Sequence, residues 1–227
     1  MTGFFRNLKW QLQLLWESAG ICLATSGIFY LFLLLSTPIS QLSRRAPMMG
    51  LLCITAVGII LSAAVFGGYY FTYAALILSM SSTRRASFWG LQAAKPLWGL
   101  LVAGIAVLFN GAACLLWPES EWLLSGRLLL LAVLLICAVI SIGEVLGLVS
   151  RRWGKLGGIL LGLFVGIGAA GGGILAGLSG DDRPTDVLER ILTGITAGQT
   201  AFFALVLLLV TAVLSAASGL LYKKFAV

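Results

Sequence analysis

Apolar residues along this chain come in long unbroken runs, separated by short polar stretches that carry nearly all of the charges. An α-helix rises ~1.5 Å per residue and the hydrocarbon layer is ~30 Å thick, so a run of about 20 apolar residues predicts a helix that crosses a bilayer. Six such runs are present, at about 19–35, 48–80, 95–117, 123–149, 156–178 and 200–221. Ahead of the first, Phe4, Phe5, Leu8, Leu12, Leu15 and Trp16 recur at helical spacing, with Arg6, Lys9, Gln13 and Glu17 on the opposite side. Residues 4–17 are therefore expected to form an amphipathic helix lying in the membrane interface. Ser36-Thr37-Pro38 ends the first span, and a loop carrying Arg44 and Arg45 is expected as far as Pro47. The second run exceeds one span and holds Gly67-Gly68 at its middle, which fits one long tilted or kinked helix or two short ones. The remaining connections are the turns at 81–90, 118–122 and 151–155, and the acidic loop at 180–199.

Composition agrees with this pattern. Of 227 residues, 60% are hydrophobic and 10% charged, where a soluble domain carries about 25% charged residues. A soluble fold must still present more than half of its surface to water, which leaves no place for this much apolar area. The runs are unbroken, whereas a membrane barrel alternates over roughly ten-residue segments. The expectation is an all-α integral membrane protein forming a single domain over 1–227, with no soluble domain. Placing both termini in the cytoplasm puts ten of the fifteen cations inside and leaves Arg44, Arg45, Arg127, Arg183 and Arg190 outside. The positive-inside rule thus favours an N-in/C-in arrangement in the cell membrane, with 180–199 extracellular.

Candidate chemistry is sparse. There is no histidine, and no phosphate-binding G-x-x-x-x-G-K-[ST] loop. No catalytic, cofactor-binding or metal-binding set is legible. Cys22, Cys53, Cys114 and Cys137 all fall inside apolar runs, where a thiol acts as a small apolar side chain. Two ionisable residues stand within spans, Lys95 and Glu144. Charges at membrane depth are expensive and mark function by default. The structural alternative is that Lys95 snorkels to the inner interface and Glu144 pairs with a nearby inner cation. Gly143 and Gly147, and then Gly154, Gly158, Gly162 and Gly166, recur every fourth residue. Small residues at this spacing let helices approach closely, within one chain or across a dimer. Tyr69, Tyr70, Tyr73 and Asn110 are candidates to line a path or to serve as packing groups. The turn at 81–90 carries Arg84, Arg85, Phe88 and Trp89. It is either an orientation signal or a short helix docking a soluble partner, since exposed cations beside an aromatic anchor suit a binding hot spot.

Four features resemble one family, the small membrane subunits of ABC exporters of the second exporter type, as in bacterial lantibiotic-immunity and related peptide or drug export. The stretch "FFRNLKWQLQLLWES" is similar to the family's elbow helix. "LILSMSSTRRASFWG" resembles its basic-aromatic turn, with Ser82, Thr83, Arg84, Arg85, Phe88 and Trp89, although Met80 and Ser81 stand where a glycine often precedes the Thr-Arg pair. "GEVLGLVSRRWGKLG" is similar to a glycine-arginine stretch of these permeases, with Gly143, Gly147, Arg152, Gly154 and Gly157. The fourth feature is the six-span layout closing on Lys223 and Lys224. The resemblance implies a permease that binds no ATP. It would form a translocation path as a homodimer or heterodimer with a second permease. A separate ATPase subunit would dock on 82–89, with Arg151, Arg152 and Lys155 as a secondary contact. The alternatives from other classes are a stand-alone secondary transporter and a non-transport membrane assembly factor or regulator.

Overall fold

The computed structural model describes residues 2–36, 39–72, 84–117, 122, 124–154, 159, 162–163, 166 and 196–223. Among them are five long helices, α1 (Thr2–Ser36), α2 (Ile39–Thr72), α3 (Arg84–Leu116), α4 (Gly126–Trp153) and α5 (Ala197–Lys223), and no strand. Each is long and apolar enough to cross a membrane, as the helices of a multi-pass membrane protein must be. Helices are the expected solution, because backbone N–H and C=O groups in lipid must be satisfied within the segment. The fifth expected span, 156–178, lies outside the described residues except at 159, 162–163 and 166. The loop at 180–199 lies outside them up to residue 195.

The helices run past the apolar segments that predicted them. Residues 4–17 do not form a separate element; they are the first half of α1, a helix of 35 residues and roughly 50 Å. The loop expected at 36–47 is largely helical, because α2 begins at Ile39. The helix also passes through Gly67 and Gly68 without a break, while 73–80 lie outside the described residues. Likewise α3 begins at Arg84, eleven residues before the expected start of its span at Lys95. The reason is common to all three. Polarity marks where a chain leaves the apolar layer, but a helix continues until a breaker or an orphaned end stops it.

Where ends are visible, their chemistry is local. The Ser125 hydroxyl accepts a hydrogen bond from the Leu128 amide at 3.3 Å and caps α4. Gly154, at φ 60°, ends α4 in a conformation that glycine adopts without strain. Thr196 and Gln199 cap α5 reciprocally: the Thr196 amide donates to Gln199 Oε1 at 2.9 Å, and the Gln199 amide to Thr196 Oγ1 at 3.4 Å. This is a T-x-x-Q capping box, so α5 starts inside the segment expected as loop.

Helices α2, α3 and α4 form the centre. Helix α1 lies against α2 and α3, whereas α5 lies mainly on α4 and touches α3 lightly. The polarity is inverted relative to a soluble protein. Toward its neighbours α1 turns Gln11, Leu15, Ser18, Ala19, Cys22 and Ser26, and outward it turns Trp16, Phe32 and Leu35, the last 87% exposed. Outward residues of α5 include Phe202, Leu205, Leu209 and Val213. Such surfaces are tolerable only where lipid covers them.

Candidate functional site

A buried cluster of polar side chains lies where α3, α4 and α5 meet. Lys95 does not snorkel; it is 2% exposed, and Glu144 is fully buried. The two face each other, with Lys95 Nζ 2.5 Å from Glu144 Oε2. The ammonium also donates to Ser141 Oγ at 3.0 Å and to Ser215 Oγ at 3.1 Å. A lysine ammonium has three protons, and here three oxygens surround it. Gln92 Nε2 donates to both carboxylate oxygens of Glu144, at 3.1 and 3.3 Å. The Ser141 hydroxyl donates in turn to the Cys137 carbonyl at 2.9 Å. This is the arrangement a buried pair requires, because attraction offsets desolvation only when the remaining donors and acceptors are also satisfied. Pro96 follows Lys95 directly within α3. Its ring nitrogen has no proton, so the Gln92 carbonyl lacks its intrahelical donor one turn back.

Gln92, Ser141 and Ser215 were not singled out from sequence. A signal for two of them is present: Gln92 and Lys95 are three apart, as are Ser141 and Glu144, so each pair shares a helix face. Complementary polar pairs at this spacing on two spans indicate a junction. Ser215 leaves no such trace.

The residues expected to dock a partner divide. Ser82 and Thr83 lie outside the described residues, and Arg84 is the first residue of α3. Arg85 and Trp89 are exposed, Trp89 at 54%. Phe88 is half-buried and turns toward α5, its ring 6.1 Å from that of Tyr222. A Cβ on Gly219 would stand 3.3 Å from Phe88 Cζ. Beside it the Tyr222 hydroxyl donates to Ser87 Oγ at 3.1 Å. Phe88 therefore holds α3 to α5, and the segment is no separate cytoplasmic helix but the first turns of α3. Of the secondary cations, Arg151 is half-buried and Arg152 lies in the last turn of α4, whereas Lys155 is outside the described residues.

The glycines also divide. A Cβ on Gly143 would come within 2.9 Å of the Ala63 carbonyl oxygen, so α2 and α4 are close enough there to exclude any side chain. Gly147 is buried on the same face. Gly154 ends its helix; among the described residues nothing stands within 4 Å of a Cβ placed on it, on Gly162 or on Gly166, and Gly158 lies outside the described residues. Besides Gly219, two glycines outside the predicted stripe approach neighbours tightly: Gly58 would bring a Cβ 2.8 Å from Val102 Cγ1, and Gly99 one 3.0 Å from Val133 Cγ1. Asn110 is buried, and neither polar atom of its amide has a hydrogen-bond partner among the described residues. Nor does any group of three or more His, Cys, Asp or Glu among the described residues gather as metal ligands would.

No family model, curated protein or solved structure matches this chain. What the site can do therefore rests on its own chemistry. A buried, fully bonded ion pair is a joint that is costly to open. It is stable when closed and unfavourable when opened without compensation, and it joins three helices through single side chains.

Proposed function

We propose that this chain is the membrane-spanning subunit of an ATP-driven exporter, with six spans, both termini in the cytoplasm and a separate ATPase docked at the 82–89 end of α3. One observation carries the reading. Helix α3 is continuous from Arg84 to Leu116, so exposed Arg85 and Trp89 share one rigid element with Lys95, only ten residues and about 15 Å further along. Force applied by a partner at the exposed end reaches the Lys95–Glu144 contact without crossing a loop. Displacing α3 would strain that contact and its bonds to α4 and α5, which is a route from a nucleotide-driven partner to rearranged spans. These 227 residues hold no phosphate-binding loop, so the proposed ATPase lies outside them.

The experiment is purification of the tagged chain from its native membrane, with identification of co-purifying proteins. A soluble phosphate-loop ATPase in stoichiometric amount is expected, and Arg84→Glu with Arg85→Glu should release it while membrane insertion is unchanged. Retention of the ATPase by that variant would place docking elsewhere. A second reading, a stand-alone ion-coupled transporter, is favoured by the Lys95–Glu144 pair itself, because intramembrane ionisable groups accompany ion and proton pathways. Substrate movement by the purified chain without an ATPase, abolished by Glu144→Gln, would establish that reading instead.

A further inference from the structure

The light contact between α3 and α5 leaves an open groove of about 860 Å³ along one end of their seam. Its volume lies within the ~300–1,000 Å³ range of sites that hold small molecules. The groove is graded along its length. At its mouth stand two cations, Arg85, the second residue of α3, and Lys223, the last residue of α5. Its walls are Phe88 and Trp89 on one side and Ala216 and Leu220 on the other, with Gly219 making room between them. Its inner end is formed by Gln92 and Ser215, the side chains that hydrogen-bond Glu144 and Lys95. Among the described residues no carboxylate lines it.

We infer that this groove binds an anionic phospholipid, with the phosphate between Arg85 and Lys223 and an acyl chain lying along the Phe88–Leu220 walls toward Gln92. The charge gradient selects this occupant. Two cations at one end favour a single anionic head, and the apolar walls exclude a fully hydrated anion. Basic pockets between membrane helices hold anionic headgroups by the same means. The inner end gives the occupant a consequence: a chain reaching Gln92 and Ser215 touches one hydrogen-bond partner of each member of the buried pair, so occupancy bears on how firmly α3 is held to α4 and α5. The inference does not rest on the exporter reading, since the groove belongs to the α3–α5 seam alone.

The test uses the full chain in phosphatidylcholine vesicles containing a minor fraction of lipid brominated in its acyl chains. Bromine quenches tryptophan on contact, and the Trp89 signal is the difference between wild type and Trp89→Phe. Brominated phosphatidylglycerol is expected to quench Trp89 about thirtyfold more effectively than brominated phosphatidylcholine, about fivefold for each cation. Lys223→Glu, which leaves Arg84 and Arg85 in place, should reduce that preference to about fivefold or less. Ala216→Leu, which fills the walls without touching a charge, should abolish quenching of Trp89 by either lipid at low fractions. Equal quenching by the two lipids would reduce the groove to ordinary lipid-facing surface and overturn the inference. So would an absence of quenching by both, which would mean that protein fills the groove.

Discussion

Two seams of this bundle are built on opposite principles. Where α2 meets α4, side chains have been removed: Gly143 faces the backbone of Ala63, and the contact is backbone against backbone. Where α3 meets α4 and α5, side chains have been added, and long polar groups span the gap: Lys95, Glu144 and Gln92, with Ser141 and Ser215 between them. In lipid there is no hydrophobic force between helices, so close packing and interhelical hydrogen bonds are the two means of association available. The first gives a rigid, featureless joint. The second gives a joint with chemistry in it, and beside it a groove that close packing would have closed. The lesson is that a satisfied charge pair can hold helices together without close backbone approach, and so leaves room for a groove that a glycine contact closes.

Breaking the polar seam should produce the largest effect. Glu144→Ala leaves the Lys95 ammonium buried without its countercharge and should destabilise the bundle by about 3–5 kcal/mol in detergent unfolding. The double variant Lys95→Met with Glu144→Leu should recover most of that loss, because an apolar pair of similar volume replaces the ion pair. A Glu144→Ala protein as stable as wild type would mean that the pair contributes nothing to the joint.

The dry seam should respond less. Gly143→Ala must push α2 from α4, since the atom met is a backbone oxygen, and about 1–3 kcal/mol should be lost. Gly58→Ala, at the α2–α3 contact, meets a Val102 side-chain methyl rather than backbone, so its loss should fall below that of Gly143→Ala. An order reversed between these two variants would show that a stiff side chain resists a new Cβ more than an opposing backbone does. A smaller effect still is expected at Trp98, which is fully buried and donates from Nε1 to Ser62 Oγ at 2.7 Å. Trp98→Phe removes that bond between α3 and α2 and should lower stability by about 0.5–1.5 kcal/mol, readable in the same unfolding assay. At the other extreme, Gly104 has open space at its Cβ position on the exposed face of α3. Gly104→Ala should be neutral or stabilising by up to about 1 kcal/mol, and a measurable loss there would reveal a packing partner on that face.

The hydrophobic runs were enough to find the helices but not their limits. Residues 4–17, 39–47 and 84–94 are polar enough to stand outside the apolar layer, yet each is part of a longer helix. The end of α5 was legible in principle, through Thr196 and Gln199, but only as a capping signal set inside a polar stretch. Of the candidate site, Lys95 and Glu144 were visible as isolated charges, Lys95 expected to reach the interface and Glu144 to pair with some nearby inner cation. Their pairing was not, since nothing in a linear pattern says which faces of two spans meet. Phe88 illustrates the converse. Its place in a basic-aromatic segment suggested an exposed anchor, and contact with Gly219 and Tyr222 turns it inward instead.

By itself, the sequence determined that this chain lives in a membrane as helices. That follows from composition and run length, because lipid leaves an exposed backbone no partner and apolar side chains no penalty. It also determined which few residues within spans carry charge. Only the tertiary structure decided that those charges meet, that Gly143 is a contact while Gly154 is an end, and that a groove with a cationic mouth opens beside the pair. The physical reason is that lipid is indifferent to which apolar face a helix presents. Relative rotation is therefore settled by a few close approaches and hydrogen bonds between distant residues, which hydropathy does not record.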